Sequence, residues 1–349
     1  MSAALDLGSS EFRSLRRVDD RLIARRLPAV YTMVDDTPAN RKVLEQSRYT
    51  YSATEGALVV IGDAAPEVSS LLSRPLIPLL PGGRLDDQDP IGRQVCVWLI
   101  ELLLPQATHH NQQCLISLPR GEMEAEGASG WTSKFLEHVV QLQGYQTEII
   151  SPVSALALGE LEDSEFTGIC MDIGAEAINF GVIRQSQPLL TSRFLKGSRD
   201  IIDRFAHARR KYFWDHSGHA YIDFPSIQNW LAQGDISLIS PGTQDEEWLA
   251  DAYSELLLSA LFSVKRKLRD LLDVDLKKPL PVVLSGGPVR LAGFSQLVQE
   301  AIELSHLPIH IAGIRNATFE PYSVARGLLI QATLNAGEEV QSSLAVEAA

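Results

Sequence analysis

The tetrapeptide Leu5-Asp6-Leu7-Gly8 recurs in type and order as Met171-Asp172-Ile173-Gly174, position 172 against position 6, an offset of 166 residues in a chain of 349. Each copy follows an apolar approach and precedes another strand-like run, so residues 3–18 and 168–183 both read as strand, tight turn, strand. An offset near half the chain makes duplication of one α/β domain the economical reading. A chain of this length also exceeds what one core supports, which agrees with two domains around a cleft. The triplet Asp-x-Gly alone carries little weight, because a chain with 24 glycines yields about one by chance. The matched context carries the argument.

A strand that ends in Asp-x-Gly suits phosphate chemistry. The carboxylate holds a magnesium ion or its water, and glycine lets backbone N–H groups approach phosphate oxygens. Two such turns facing each other would clamp a triphosphate. A third glycine signal, Ser285-Gly286-Gly287, joins a strand at 282–284 to a helix at 291–304, where backbone passes close to a purine or ribose.

Composition bounds the surroundings of this core. The formal charge of −13 repels a polyanion, so bulk nucleic-acid binding is not expected. Cys96, Cys114 and Cys170 each lie in apolar runs with no CxxC pair, and read as small buried hydrophobes in a reducing compartment. No run of eighteen apolar residues occurs, and the first residues lack a signal-peptide pattern, so a cytoplasmic protein without a transmembrane segment is expected.

Helical spacing is read at 91–104, 131–143, 199–211, 246–273 and 322–334, and further strands at 58–61, 113–118 and 309–312, the second of these closed by Pro119-Arg120-Gly121. Ser151, Pro152 and Gly159 suit the cap, first turn and exit of a helix over 151–159. The stretch between 211 and 234 reads as looser, and residues from Asn335 onward as a mobile acidic tail.

The three glycine segments, in this order and spacing, resemble the two phosphate motifs and the adenosine motif of the actin-like ATPase superfamily, with the bacterial MreB type the nearest pattern. Leu27-Pro28-Ala29-Val30, Ile61-Gly62-Asp63-Ala64-Ala65 and the run from Leu115 to Gly121 resemble further family segments. The resemblance implies duplicated ribonuclease-H-like α/β domains flanking a nucleotide cleft: 1–158 plus 315–334 as the first, 159–314 as the second, and 335–349 as the tail. It implies Asp6 and Asp172 as magnesium ligands, Gly8, Ser9, Ser10, Gly174, Ala175 and Glu176 as phosphate-binding, and Gly286 and Gly287 as adenosine-binding. ATP with Mg2+ is the implied cofactor, and self-association or a protein partner the implied assembly.

The same resemblance exposes departures. The second phosphate loop reads Asp172-Ile173-Gly174-Ala175-Glu176-Ala177-Ile178 where the family has Asp-x-Gly-Gly-Gly-Thr-Thr, so two glycines and two threonines are lost. A carboxylate about 4 Å from a phosphate oxygen is repelled by roughly 4 kcal/mol at an effective dielectric of 20. Glu176 is therefore either a solvated turn residue or a cation ligand. Relatives place a glutamate or glutamine just before the connecting helix to orient the attacking water, and here Ile150 and Ser151 stand there, with Glu148 the nearest carboxylate. Where MreB-like chains contact the nucleoside, this chain offers Ile227, Gln228 and Trp230.

These departures favour a cytoskeletal or scaffolding protein with weak or hydrolysis-deficient nucleotide chemistry. Two rivals are an active ATPase that drives filament dynamics and a monomeric adaptor of the PilM or FtsA kind that holds a membrane partner's tail. Three further features stand outside the resemblance. Arg13, Arg16, Arg17, Arg21, Arg25 and Arg26 make a basic stripe that suits an acidic partner or a protected sheet edge. Leu71, Leu72, Leu76, Ile77, Leu79 and Leu80, broken by prolines, suit burial or a surface insertion loop. His216 and His219 have a loose metal-like spacing.

Overall fold

The computed structural model describes residues 2–18, 21–109, 111–119, 130–215, 217–269 and 278–347, with side chains to 337. The first half runs β1 (Ala3–Leu7), β2 (Glu11–Val18), β3 (Arg21–Pro28), β4 (Val30–Asp35), α1 (Pro38–Gln46), β5 (Tyr51–Thr54), β6 (Ala57–Ile61), α2 (Ala64–Leu71), β7 (Leu76–Pro78), α3 (Pro90–Leu103), β8 (Gln113–Ser117), α4 (Gly130–Leu142), β9 (Gln146–Ile149) and α5 (Pro152–Glu160). The second runs β10 (Gly168–Ile173), β11 (Ile178–Arg184), β12 (Gln187–Phe194), α6 (Ser198–Arg209), β13 (Tyr212–Trp214), β14 (Ala220–Ile222), α7 (Phe224–Gln233), α8 (Gln244–Leu268), β15 (Leu280–Ser285), α9 (Phe294–Ser305), β16 (Ile311–Asn316) and α10 (Ser323–Glu347).

The duplication expected from the tetrapeptides is an observed topology. One sheet has strand order β3-β2-β1-β8-β9 and the other β12-β11-β10-β15-β16. In each, two antiparallel pairs make the hairpin edge and two parallel pairs complete the sheet. The central strands are buried almost throughout, and apolar except near their ends, because both faces are covered by helices. One core gathers Leu5, Leu7, Phe12, Leu99 and Ile116, and the other Met171, Phe180, Leu257, Leu284 and Phe294. The halves differ in their insertions. The first carries a four-stranded sheet of order β5-β6-β4-β7, and the second carries α6, the β13–β14 hairpin and α7.

Local chemistry accounts for the helix ends. Ser151 caps α5 through the Ser154 N–H at 3.2 Å, with Pro152 in the first turn. Thr243 and Glu246 form a reciprocal box at the start of α8, since Thr243 Oγ1 accepts the Glu246 N–H at 3.2 Å and Glu246 Oε2 accepts the Gly242 N–H at 3.0 Å. Acidic residues in the first turn of α8 and Lys265, Arg266 and Lys267 in its last turn match the helix dipole.

Several expectations are corrected. Gly159 does not end its helix, which runs to Glu160. A Cβ there would meet the Ser323 carbonyl at 3.2 Å, so glycine serves the crossing of α5 and α10. At the same crossing, a Cβ on Gly327 would lie 1.7 Å from the Ala155 carbonyl oxygen. The looser stretch contains β13, β14 and α7, which are short elements with weak periodic signal. The closing helix continues past Leu334 to Glu347. Of the leucine-proline stretch, Leu79 and Leu80 are buried and β7 pairs with β4, while Leu71 is exposed. The Pro119-Arg120-Gly121 strand end, His216 and the end of the long helix at Asp273 fall partly or wholly outside the described residues.

Candidate functional site: two mirrored cradles on one cleft

Register places equivalent residues in equivalent rows. In the first sheet Asp6 pairs with Ser117 on β8 and with Arg13 on β2, and Arg13 pairs with Arg26 on β3. In the second, Asp172 pairs with Ser285 on β15 and with Asn179 on β11, and Asn179 pairs with Arg193 on β12. The two turns also share one bond: the Gly8 N–H donates to the Glu11 carbonyl at 3.0 Å and the Gly174 N–H to the Ala177 carbonyl at 2.9 Å. Duplication thus reaches individual hydrogen bonds.

Side chains along the rows interact. Arg13 Nη1 donates to Asp6 Oδ2 at 3.1 Å and Nη2 to Glu11 Oε2 at 2.8 Å. Asn179 Nδ2 donates to Asp172 Oδ2 at 3.0 Å, and Arg193 Nε donates to Asn179 Oδ1 at 2.8 Å. A guanidinium therefore touches its aspartate directly in one half and through an amide in the other.

The aspartates face one another electrostatically. Burial pushes the Asp172 carboxyl up, and the Asp6 charge adds to it, to about 7. Burial also raises Asp6, against the opposing pull of Arg13. Burial pulls the Arg13 guanidinium down, but Asp6 and Glu11 outweigh it and the group is raised. A third carboxylate joins them: Glu320 is raised by burial, senses Asp6 and Arg13, and its Oε1 accepts the Gly286 N–H at 3.4 Å. One buried and two partly buried carboxylates stand against one directly paired guanidinium, so ionising all three leaves a surplus of negative charge that a cation would neutralise.

Each residue expected at the site has a definite place. Ser9 is buried in the first turn, and the Ser10 carbonyl accepts the Ala29 N–H at 2.9 Å. The Gly174 and Ala175 carbonyls accept the Ser198 and Arg199 N–H groups at 3.0 and 2.9 Å, so this loop is welded to the start of α6. Glu176 lies 3.7 Å from Arg199, both less than a fifth exposed, and the Arg199 guanidinium stands 4.4 Å over the Phe224 ring. Gly286 has φ of 112°, and a Cβ there would lie 2.1 Å from the Ile173 carbonyl, so the third glycine loop passes directly beneath the second turn. Gly287 faces open space.

Four groups escaped sequence reasoning. By residue type Arg13 belongs to the arginine stripe, and nothing in the sequence motifs singles out Asn179 or Arg193. The seven-residue spacing from each aspartate, with a hairpin turn between, is the signal that finds Arg13 and Asn179. Glu320 has no local signal, because a loop far along the chain carries it. The rest of the arginine stripe stays on the β2–β3 hairpin, where Arg26 lies 3.5 Å from Glu11 and Arg25 donates to the Leu102 carbonyl at 3.2 Å.

The positions implied for hydrolysis are otherwise engaged. The Ile150 side chain packs against the α10 cluster, and the Ser151 hydroxyl caps α5. Glu148 accepts Asn335 Nδ2 at 3.2 Å. Trp230 stacks on Phe205 with centroids 5.0 Å apart, and Ile227 is buried beside it. Gln228, Ser10, Glu11, Arg199 and Phe224 line a cavity of about 90 Å³ where the halves meet.

Asp6, Asp172 and Glu320 offer hard oxygen donors that sense one another electrostatically, and the Ser117 hydroxyl beside Asp6 is buried with no hydrogen-bond partner among the described residues, although the three carboxylates do not close into one ligand cluster. His219 lies 3.4 Å from Asp215, and no cluster of three or more metal-ligating side chains was found among the described residues.

A family model described as Volactin matches residues 1–332. Among solved structures, the chain is similar to the MamK double helical filament at 14% identity and TM-score 0.67, covering 95% of this chain and 99% of that one. It is also similar to MreB 5 of Spiroplasma citri bound to AMPPNP, at 13% identity and TM-score 0.60, covering 99% and 98%. The ADP-bound form of the same protein gives 12% identity and TM-score 0.60, covering 98% and 97%. No curated protein matches. These likenesses show an actin-like fold shared with MamK and MreB 5, the duplicated α/β class expected from the sequence.

Proposed function

The chain belongs to the Volactin family, and from that premise we propose that it is an actin-like, MreB-type cytoskeletal or scaffolding protein that keeps a nucleotide cleft with reduced hydrolytic chemistry. The observation that carries this reading is the equivalence of the two mirrored rows, with the carboxylates of Asp6 and Asp172 within electrostatic reach of each other. Duplicated phosphate turns have no evident use unless something anionic and its counter-cation sit between them.

In this reading, residues 1–158 with 315–334 form one domain and 159–314 the other. Asp6 and Asp172 hold a magnesium ion, which when bound neutralises the triphosphate. Backbone at Gly8, Ser9, Ser10, Gly174 and Ala175 meets phosphate oxygens, Arg199 neutralises Glu176 beside them, and Gly286 and Gly287 flank the adenosine. The MamK structure is a double helical filament and the MreB 5 structures hold AMPPNP and ADP, which supports self-association and nucleotide occupancy as properties of this chain also. No helix among the described residues is long and apolar enough to cross a membrane. A cytoplasmic location is part of the same proposal.

Sedimentation of the purified chain with and without ATP and magnesium tests this function. Pelleting that depends on ATP supports it, and a monomer under every condition overturns it. A second reading, a monomeric adaptor without nucleotide, is favoured by the cavity of about 90 Å³, small beside the roughly 300–1,000 Å³ of ligand pockets. The sedimentation result separates the two.

A further inference from the structure

Glu160 ends the helix by which the chain leaves its first half, and its side chain is only 1% exposed. The carboxylate is fully occupied. Arg315 Nη1 donates to Oε2 at 2.8 Å, and Thr318 donates both its N–H and its hydroxyl to the two oxygens at 3.0–3.1 Å. Arg315 Nη2 also reaches the Glu160 carbonyl. None of these partners lies in the cradles, so the cleft chemistry leaves this buried charge unexplained.

The partners belong to residues 315–322, a strap made of the end of β16 and the loop that returns the chain to α10. The strap is tied along its length to the adenosine side of the cleft. Asn316 Nδ2 donates to the Val289 carbonyl at 3.0 Å, and the Ala317 N–H donates to the Leu284 carbonyl at 2.8 Å. Two residues past Thr318, Glu320 accepts the Gly286 N–H inside the cleft. Immediately beyond the strap, α10 crosses α5 at the Gly327–Ala155 approach, where no Cβ fits. One short segment thus joins a cleft carboxylate, a buried anchor and the crossing of the helices that link the halves.

We propose that residues 315–322 act as a lever, with Glu160 its anchor and Glu320 its sensor, carrying cleft occupancy to the crossing of α5 and α10. A cation and polyphosphate entering beside Asp6 change the charge that Glu320 faces. Because the strap is held at Thr318 and Arg315, a displacement at Glu320 is passed to α5 rather than absorbed by a slack loop. Glu160 is a positioning residue in this scheme. The inference rests on the cleft binding nucleotide, and it adds how that binding is communicated.

The experiment is hydrogen exchange of the full chain with and without ATP and magnesium, with ATP affinity measured on the same samples. In the wild-type chain ATP should slow exchange in 315–322 and also in 152–160. In Glu160→Gln, ATP should bind within about threefold of wild type, while the ATP-dependent slowing in 152–160 falls below about half. A merely structural role predicts faster exchange with and without ATP alike. That outcome, or a full ATP-dependent slowing in Glu160→Gln, overturns the lever. If Glu160→Gln fails to fold, Arg315→Lys, which keeps the charge and loses the fork, is judged by the same criterion and should show a partial loss. A wild-type chain that binds no ATP defeats the cleft reading and the lever together, whereas ATP binding without change in 152–160 defeats the lever alone.

Discussion

Asp6 on β1 and Arg13 on β2 are cross-strand partners, and the guanidinium of Arg13 lies 3.1 Å from the carboxylate of Asp6. The equivalent partners in the second half, Asn179 and Asp172, are linked at 3.0 Å without a charge on the donor. The same backbone frame therefore holds one neutralised carboxylate and one exposed to its neighbour's field. This asymmetry sets the electrostatics of the cleft and several of its testable consequences.

Removing Arg13 leaves Asp6 buried beside two other carboxylates. Arg13→Ala should cost about 3 kcal/mol of stability, the scale for breaking a buried ion pair. Arg13→Lys should recover part of that loss. Chemical denaturation midpoints of the two variants against wild type check the ordering.

The raised carboxyl of Asp172 fixes a pH dependence. Its value in the folded chain is about 7 against 3.8 for the free group, so between these limits the folded state holds a proton that the unfolded state has lost. The stability this group contributes is fully present below about pH 4 and is lost as pH rises through 7. Asp172→Asn should remove that slope and be more stable than wild type at pH 8 in the absence of cations. Denaturant titrations from pH 5 to pH 8 provide the comparison.

Gly286 and Gly287 are adjacent in sequence and opposite in tolerance. Gly286→Ala places a Cβ 2.1 Å from the Ile173 carbonyl in a backbone region that only glycine occupies freely, and should cost about 2–4 kcal/mol. Gly287→Ala meets no atom within 4 Å and should be close to neutral. Thermal unfolding of both variants tests the contrast.

Turnover should be slow even where ATP binds. The Ser151 hydroxyl is committed to the cap of α5, Ile150 is apolar, and Glu148 is held by Asn335. No polar group at these positions is left to orient water. Phosphate release from saturated wild-type protein should therefore stay near the uncatalysed rate. Rapid release would mean that another carboxylate of the cleft, Glu320 or Glu176, performs this task.

The parts of this site that the sequence announces are those set by turn chemistry. Asp6, Asp172, Gly8, Gly174 and Gly286 are visible because a strand that stops at Asp-x-Gly, or at a glycine with positive φ, has few other forms. Arg13 and Asn179 require the hairpin register, which a residue-type scan does not supply. Glu320 depends on where a returning strap passes, a long-range fact with no local mark. Gly159 misleads for the opposite reason: glycine near a helix end suggests an exit, but here it serves a close crossing that only the packed structure reveals. Trp230, which the resemblance would set near a nucleoside, stacks on Phe205 where α7 covers α6. Short elements such as β13 and β14, three residues each, offer too few positions for a period to show.

The most direct measurement is an equilibrium titration of the purified chain with ATP and magnesium, repeated on Asp6→Asn and Asp172→Asn. The proposed cleft, in which each half would contribute a carboxylate to one cation, predicts saturable binding by the wild-type chain, weakened at least about tenfold in each variant. Absence of saturable binding in the wild-type chain, or binding that neither substitution changes, would contradict a shared nucleotide cleft.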